Sequence, residues 1–590
     1  MPRRTLRSCR LPLAGWIMLL AVHAAVAAPL ALTLGGKPNA EVVLDTVRPQ
    51  RQLEYAALEL TNWLGRISGA AIPVVKAPGT QPVKLVLGTP DLSPAVAAFA
   101  KAHAADFKRL EGNDGFIICR QGDAIYLAAV DPKGVLNSVY RFLEKNTDII
   151  FVRALEAENG FGTIYGRNPD LQATFADTLD VPAFTTRYWT GDVAGYTWQA
   201  RNLGIGDFGI EHIQDAAMFS SLNQIGVRMP WQSGFERVLP PETYASFYPV
   251  FDGRHLVREE GYNQLCFTNP EMINEYCARL DAVIENAPPR VMSFGISIGD
   301  GWDLCQCETC LQPIKLSGGV MVNPKDEDFR SVQYFIFVNQ VADMMARKHP
   351  GKKLAAQAYL WCAQAPRLKL ADNVVTTYCP YVKNHKYPIT HPVNKKWLDC
   401  FTGWPEACSR MELYEYYLCY STPLFCNPVC DIAAQDFCFY QEKGLKGVYL
   451  DTCRNDSDDQ TIYPNYTGAD VYSASAIEFW VAMRLMWDPR QDVEKLRDEF
   501  CRRAYREAAV PMREYYAKLR EVWLGDPMGC SWNNDPTGSA KQYIVGNKLT
   551  APLSALLGKA EAQAAHPGSK ELVRLHRRVF DKWLGLKPRE

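Results

Sequence analysis

From about residue 184 onward, short apolar runs alternate with helical patterns, and this rhythm restricts the fold more than any other feature of the chain. Eight runs have the length and composition of buried strands: 184–189, 225–231, 265–268, 291–298, 354–361, 374–380, 411–417 and 448–451. Amphipathic segments such as 331–348, 433–443 and 471–486 fall between them. Eight strands alternating with helices is the count of a closed parallel barrel, so the expected fold class is α/β with a TIM (β/α)8 barrel over residues 171–488. The structural alternative is a doubly wound open sheet, but no Gly-rich phosphate loop follows any of these runs.

Before the barrel, residues 29–170 read as a small α/β domain. Strands are expected at 41–45, 83–87 and 123–127, with helices at 52–67 and 134–145. After Asp488-Pro489 the pattern becomes helical, giving a C-terminal helical region at 489–590. The N-terminus has the layout of a signal peptide, residues 1–28. Arg3, Arg4, Arg7 and Arg10 precede an apolar stretch, and Ala25-Val26-Ala27 supplies small residues for cleavage. The apolar stretch is shorter than the ~20 residues a membrane span needs. An exported protein, periplasmic or secreted, with no membrane span after cleavage is therefore expected. A formal net charge of -1 with no basic run disfavours a nucleic-acid partner.

In a barrel of this kind chemistry sits at the carboxyl ends of the strands. Here those ends read Arg187-Tyr188-Trp189, Gly299-Asp300-Gly301-Trp302-Asp303, Tyr359-Leu360-Trp361, Tyr378-Cys379-Pro380-Tyr381, Glu415-Tyr416-Tyr417 and Asp451. Sugars present flat apolar faces with a hydroxyl rim, and aromatic platforms beside carboxylates suit them. Glycosidic hydrolysis needs a proton donor and a second group that stabilises the oxocarbenium-like centre. Asp300 and Glu415 are the expected catalytic pair, Glu415 being preferred to Glu412 because it lies nearer the strand's carboxyl end. Arg187, Trp189, Tyr359, Trp361, Tyr378 and Asp451 are the expected sugar-binding residues. Asn455, Asp456, Asp458 and Asp459 could bind Ca²⁺ but miss the EF-hand spacing, so a solvated acidic loop is expected.

Cys305-Gln-Cys307-Glu-Thr-Cys310 places three thiols within six positions, and all three cannot pair with one another. A structural zinc held by Cys305, Cys307, Cys310 and Cys266 is one reading. One or two disulfides, favoured by an oxidising compartment, is the other. Either would brace the loop behind Asp300. No cofactor for catalysis is expected.

Gln264-Leu-Cys-Phe-Thr-Asn-Pro-Glu271, the 297–310 stretch with its Cys triplet, and Met486-Trp-Asp-Pro489 resemble the bacterial family of domains of unknown function numbered 4838. Asp114-Gly-Phe116 and Gly134-Val-Leu-Asn-Ser-Val-Tyr140 are similar to the small N-terminal domain of family 67 glucuronidases and family 20 hexosaminidases. The resemblance covers most of the mature chain. It implies kinship with glycoside hydrolase family 163, which includes endo-β-N-acetylglucosaminidases of N-glycans, and retaining hydrolysis assisted by the substrate's acetamide. The chain departs from the family pattern at Gly299, where an Asn is expected, and at 231–235, which lack a His. The expected function is a glycoside hydrolase acting on complex glycans. Its rivals are a glycan-binding protein on an inactive hydrolase-like barrel and, last, a metalloenzyme built on the Cys cluster.

Overall fold

The computed structural model describes residues 28–152, 162–189, 196–204, 241–257, 264–287, 291–296, 298–299, 301–418, 426–452, 468–527, 529–530 and 539–585. The signal-peptide residues 1–27, the predicted strand at 225–231, the 231–235 segment, Asp300, and the acidic stretch from Asn455 to Asp459 lie outside them.

The first sheet has six strands: β1 (Ala40–Val43), β2 (Val74–Val75), β3 (Val83–Gly88), β4 (Phe116–Gln121), β5 (Ala124–Ala128) and β6 (Thr178–Asp180). Their order is β6-β4-β5-β3-β1-β2, parallel except where β4 pairs with β5 and β6. β4 and β5 are joined through Gly122, whose φ of 62° lies in the left-handed region that glycine enters without a Cβ clash. Helices α1 (Arg51–Ser68) and α2 (Pro132–Asn146) bury Leu53, Leu60, Trp63, Val135, Val139 and Phe142 against this sheet. α2 starts where it does because Asp131 accepts from Lys133 N at 2.7 Å and Pro132 occupies the first turn.

The second sheet is wholly parallel. Its strands are β7 (Thr186–Trp189), β8 (Ser293–Ile296), β9 (Lys353–Ala358), β10 (Val374–Tyr378), β11 (Met411–Leu418) and β12 (Gly447–Thr452), in the order β7-β12-β11-β10-β9-β8. The first strand in the chain thus pairs with the last, as strands one and eight of a (β/α)8 barrel do. Helices α3 (Pro270–Asn286), α4 (Phe329–Lys348), α5 (Lys395–Thr402), α6 (Cys430–Glu442) and α7 (Gly468–Trp487) accompany it. The expected third strand at 265–268 is loop and turn instead. Asn269 caps α3 by accepting from Glu271 N at 2.9 Å and Met272 N at 3.3 Å, with Pro270 in the first turn. That Asn-Pro start commits the preceding residues to a turn.

The chain ends in helices, among them α8 (Val493–Phe500), α9 (Ala509–Gly525), α10 (Thr550–Gln563) and α11 (Pro567–Trp583). Arg503, just after α8, donates to the Glu144, Thr147 and Ile149 carbonyls beyond and within α2. Among the described residues no helix is long and apolar enough to cross a membrane.

Candidate functional site

Which way each side chain of the parallel sheet points decides what the site contains. Residues alternate along a strand, and neighbours in register share a face. One face meets the helices. Tyr378 donates from its hydroxyl to Trp397 O in α5 and packs on Phe401 with ring centroids 5.3 Å apart. Trp189 donates from Nε1 to Met483 Sδ at 3.0 Å and packs on Phe479 at 4.6 Å, both in α7. Tyr417 contacts Phe437 of α6 at 6.2 Å.

Glu415 lies on that helix-facing side and is fully buried. Its Oε1 is 3.2 Å from Lys383 Nζ, and the same ammonium reaches Asp436 Oδ2 of α6 at 2.9 Å and Tyr417 OH at 3.2 Å. Burial pushes the Glu415 carboxyl up to about 7, against the pull of Lys383. The Lys383 ammonium pays for burial too, yet Asp436 and Glu415 together hold its proton more firmly than usual. His385, 3.9 Å from Glu415 Oε2, is driven well below its ordinary range by burial and by Lys383. This is a buried polar network between strand and helix, in which Glu415 and Asp436 share the Lys383 ammonium.

Arg187 and Trp361 depart from expectation for the same reason. Arg187 is completely buried. It donates to Leu203 O at 2.8 Å and to the Asp114 carboxylate, and its guanidinium lies 4.8 Å over the Trp487 ring. It joins the first sheet's layer to the second. Burial alone would raise the Asp114 carboxyl, but Arg187 and Lys133 hold it below the usual range. Trp361 packs between Phe267 at 5.9 Å and Tyr334 at 5.8 Å. Arg187, Trp189, Trp361, Tyr378 and Glu415 thus make packing and network contacts here.

The opposite face is lined with tyrosines. Tyr359 meets Tyr381 at 5.3 Å, Tyr381 meets Tyr416 at 5.8 Å, and Tyr416 meets Tyr414 at 5.1 Å. Tyr188 of β7 meets Tyr449 of β12 at 6.1 Å. Asp451 of β12 follows Tyr449 by two residues and shares its face; Asp451 and Tyr359 both act electrostatically on the Tyr416 phenol, which burial raises well above its usual range. Tyr188, Tyr359, Tyr381 and Asp451 are half-buried, whereas Tyr414 and Tyr416 are each 8% exposed. Of the expected residues, Tyr359 and Asp451 stand on this face. Tyr188, Tyr381, Tyr414 and Tyr416 join them; strict alternation with Arg187, Trp189 and Glu415 was the signal that would have found most of them.

Glu412 shares the tyrosine face but sits at the amino-terminal floor. It is 1% exposed and accepts from Thr186 Oγ1 at 2.9 Å. Gly447 is required beside it, since a Cβ there would lie 2.7 Å from Thr186 Cβ and 2.8 Å from Glu412 Oε1.

At the end of β8, Gln264 holds the backbone on both sides of position 300. Its Nε2 donates to Gly299 O at 2.7 Å and Gly301 O at 2.8 Å, and its Oε1 accepts from Gly299 N at 3.3 Å. Gln264 is 2% exposed. The four cysteines of the predicted cluster also come together in space: one sulfur from each of Cys266, Cys305, Cys307 and Cys310 lies within 4.8 Å of the others.

The profile of a family described as a domain of unknown function, DUF4838, matches residues 163–518. No curated protein shows a significant match to the chain. Among solved structures, the chain is similar to a family GH115 4-O-methyl-α-glucuronidase with specificity for decorated arabinogalactans, at 12% identity and a TM-score of 0.49, covering 94% of this chain and 74% of that one. It is similar to a GH138 enzyme targeting pectin rhamnogalacturonan II at 11% identity and a TM-score of 0.43, covering 92% and 85%. It is also similar to the GH20 β-N-acetylhexosaminidase of Streptomyces coelicolor A3(2) at 11% identity and a TM-score of 0.38, covering 80% and 92%.

Proposed function

Because this chain belongs to the DUF4838 family, whose profile spans more than half of it, and carries a tyrosine-lined face ending in a carboxylate, we propose that it is a glycoside hydrolase acting on complex glycans. The observation that carries the reading is the row Tyr359, Tyr381, Tyr416 and Tyr414 beside Asp451, on the face of a parallel sheet opposite its helices. Phenol rings stack on the apolar faces of pyranoses while their hydroxyls meet the sugar rim. The strand pairing β7–β12 supports treating the sheet as the described part of a (β/α)8 barrel, whose carboxyl-terminal rim is where such enzymes bind substrate.

In this proposal Asp300 serves as general acid, or as the group that orients a substrate acetamide. Gln264 is its positioning residue, through the flanking carbonyls. Asp451 takes the role first given to Glu415, as the second carboxylate at the rim. An N-acetylated glycan suits this arrangement, because its own acetamide supplies a nucleophile and relieves the protein of providing one. Export would place the enzyme where such glycans are met.

The test is a panel of N-acetylhexosaminides, uronides and N-glycans incubated with the purified chain. Cleavage of at least one member is expected, with Asp300→Asn lowering turnover on the order of 10²–10⁴-fold and leaving the fold intact. Full turnover by Asp300→Asn would overturn the assignment. Binding of a glycan with no cleavage across the panel would establish a glycan-binding protein instead.

A further inference from the structure

We propose that Cys266, Cys305, Cys307 and Cys310 hold one structural Zn²⁺ as four thiolates, and that the ion staples the loop following position 300 to the segment that begins α3. The proposal does not depend on the hydrolase reading. Cys266 Sγ lies 3.6 Å from Cys310 Sγ and 3.9 Å from Cys307 Sγ. A tetrahedral site with Zn–S bonds of about 2.3 Å has edges of about 3.8 Å between sulfurs. A disulfide needs about 2.05 Å, and Cys305-Gln-Cys307 is too short a segment to close on itself in good geometry. Four soft donors in a compact tetrahedral set select zinc or iron.

The surroundings are those of a closed metal site. Cys266, Cys305 and Cys310 are at most 5% exposed, which leaves little room for a substrate at the centre. Backbone N–H groups point at the sulfurs, Val250 N to Cys305 Sγ at 3.2 Å and Cys310 N to Cys307 Sγ at 3.4 Å. Such donors disperse the thiolate charge and fix the ligands' orientation. Binding releases the thiol protons, Zn²⁺ plus four Cys–SH giving a Zn(S–Cys)₄ centre of charge −2 and four H⁺. Arg330, which donates to Cys310 O at 3.4 Å, brings a positive charge from α4 to that centre.

The arrangement also explains why the cluster lies where it does. Gln264, two residues before Cys266, holds Gly299 and Gly301, and Cys266 then meets the triplet that follows. Cys266 N donates to Phe247 O at 2.8 Å and Gln306 N to Val250 O at 2.6 Å, so three segments distant in sequence converge on the sulfurs. The loop that leaves β8 is thus tied down at both ends.

The experiment uses the full chain purified without added metal. Elemental analysis is expected to give one zinc per chain, and four further thiols should become reactive when a chelator removes it. Replacement by Co²⁺ should give the intense absorption of tetrahedral cobalt thiolate. Cys266→Ser should lower metal affinity more than 10-fold, while Cys277→Ser on α3 leaves it unchanged. Should Cys266→Ser fail to fold, chelation of the wild-type chain gives the second readout: backbone exchange should rise at 301–311 and not in the first sheet. Absence of metal with these four cysteines recovered as disulfide-linked peptides would overturn the proposal. So would iron in place of zinc, or zinc undiminished in both Cys266→Ser and Cys305→Ser.

Discussion

Replacing Arg187 separates a role in sugar binding from a role in holding the two sheets together. Arg187→Met keeps most of the side-chain volume and removes the charge. Breaking a buried ion pair from one side costs roughly 3–5 kcal/mol, because the remaining charge stays buried without its partner. Asp114 keeps the Asn137 Nδ2 donor at 2.9 Å and the nearby Lys133 charge, which soften the loss. The Leu203 carbonyl forfeits its 2.8 Å donor and Trp487 the nearer of its two cations, Arg141 staying at 5.9 Å, each loss worth about 1 kcal/mol. These contributions are not additive, and a net loss of about 4 kcal/mol is expected. Urea unfolding followed by circular dichroism measures it. Asp114→Asn in the Arg187→Met background should recover about 2 kcal/mol, since it removes the stranded charge. Glycan binding by the folded variant should match the wild type. Stability within about 1 kcal/mol of the wild type, together with lost glycan binding, would refute this account and return Arg187 to the sugar site.

Glu415→Gln should change turnover less than about 3-fold wherever Asp300→Asn costs 10²–10⁴-fold, because Glu415 faces Lys383 and Asp436 on the side away from the tyrosines; steady-state rates on one cleaved glycan decide it. Tyr416→Ala and Tyr359→Ala should each weaken glycan binding about 5-fold by calorimetry, the loss of one aromatic platform of ~1 kcal/mol, whereas Trp361→Phe should leave it unchanged. Burial works against the Glu144 carboxylate, but Arg484 and Arg141 outweigh it and hold the group down to about 2. A carboxyl lowered on folding stabilises above its unfolded value and loses that contribution as pH falls towards the folded one. About 3 kcal/mol should therefore drain between roughly pH 4.5 and pH 2, and Glu144→Gln should flatten the stability profile in that window.

Much of the architecture was legible because hydrophobic period and start signals are local. The expected helix at 52–67 is Arg51–Ser68, and the expected run 411–417 is Met411–Leu418. The error at 265–268 is also local, since Asn269-Pro270 was a helix start that outweighed a short apolar run. The site was less legible. Reading strand ends as sets of residues mixed the two faces, so Arg187 and Trp189 were grouped with Tyr188, and Glu415 with Tyr416.

Sequence by itself determined that Arg187 and Trp189 share a face from which Tyr188 is excluded, because a strand has a period of two. It likewise grouped Cys305, Cys307 and Cys310 within six positions. Only tertiary structure decided which face of each strand the helices would cover. Both faces of these strands carry large aromatic and charged residues, so polarity did not mark the inner one. α5, α6 and α7 settle against Tyr378, Tyr417 and Trp189, and that choice sends Glu415 to Lys383 and leaves the tyrosines together on the other side. The bond from Gln264 to Gly299 and Gly301 and the approach of Cys266 to Cys310 are of the same kind. Each joins residues more than thirty positions apart, and no local pattern encodes a contact that depends on how loops return to one rim.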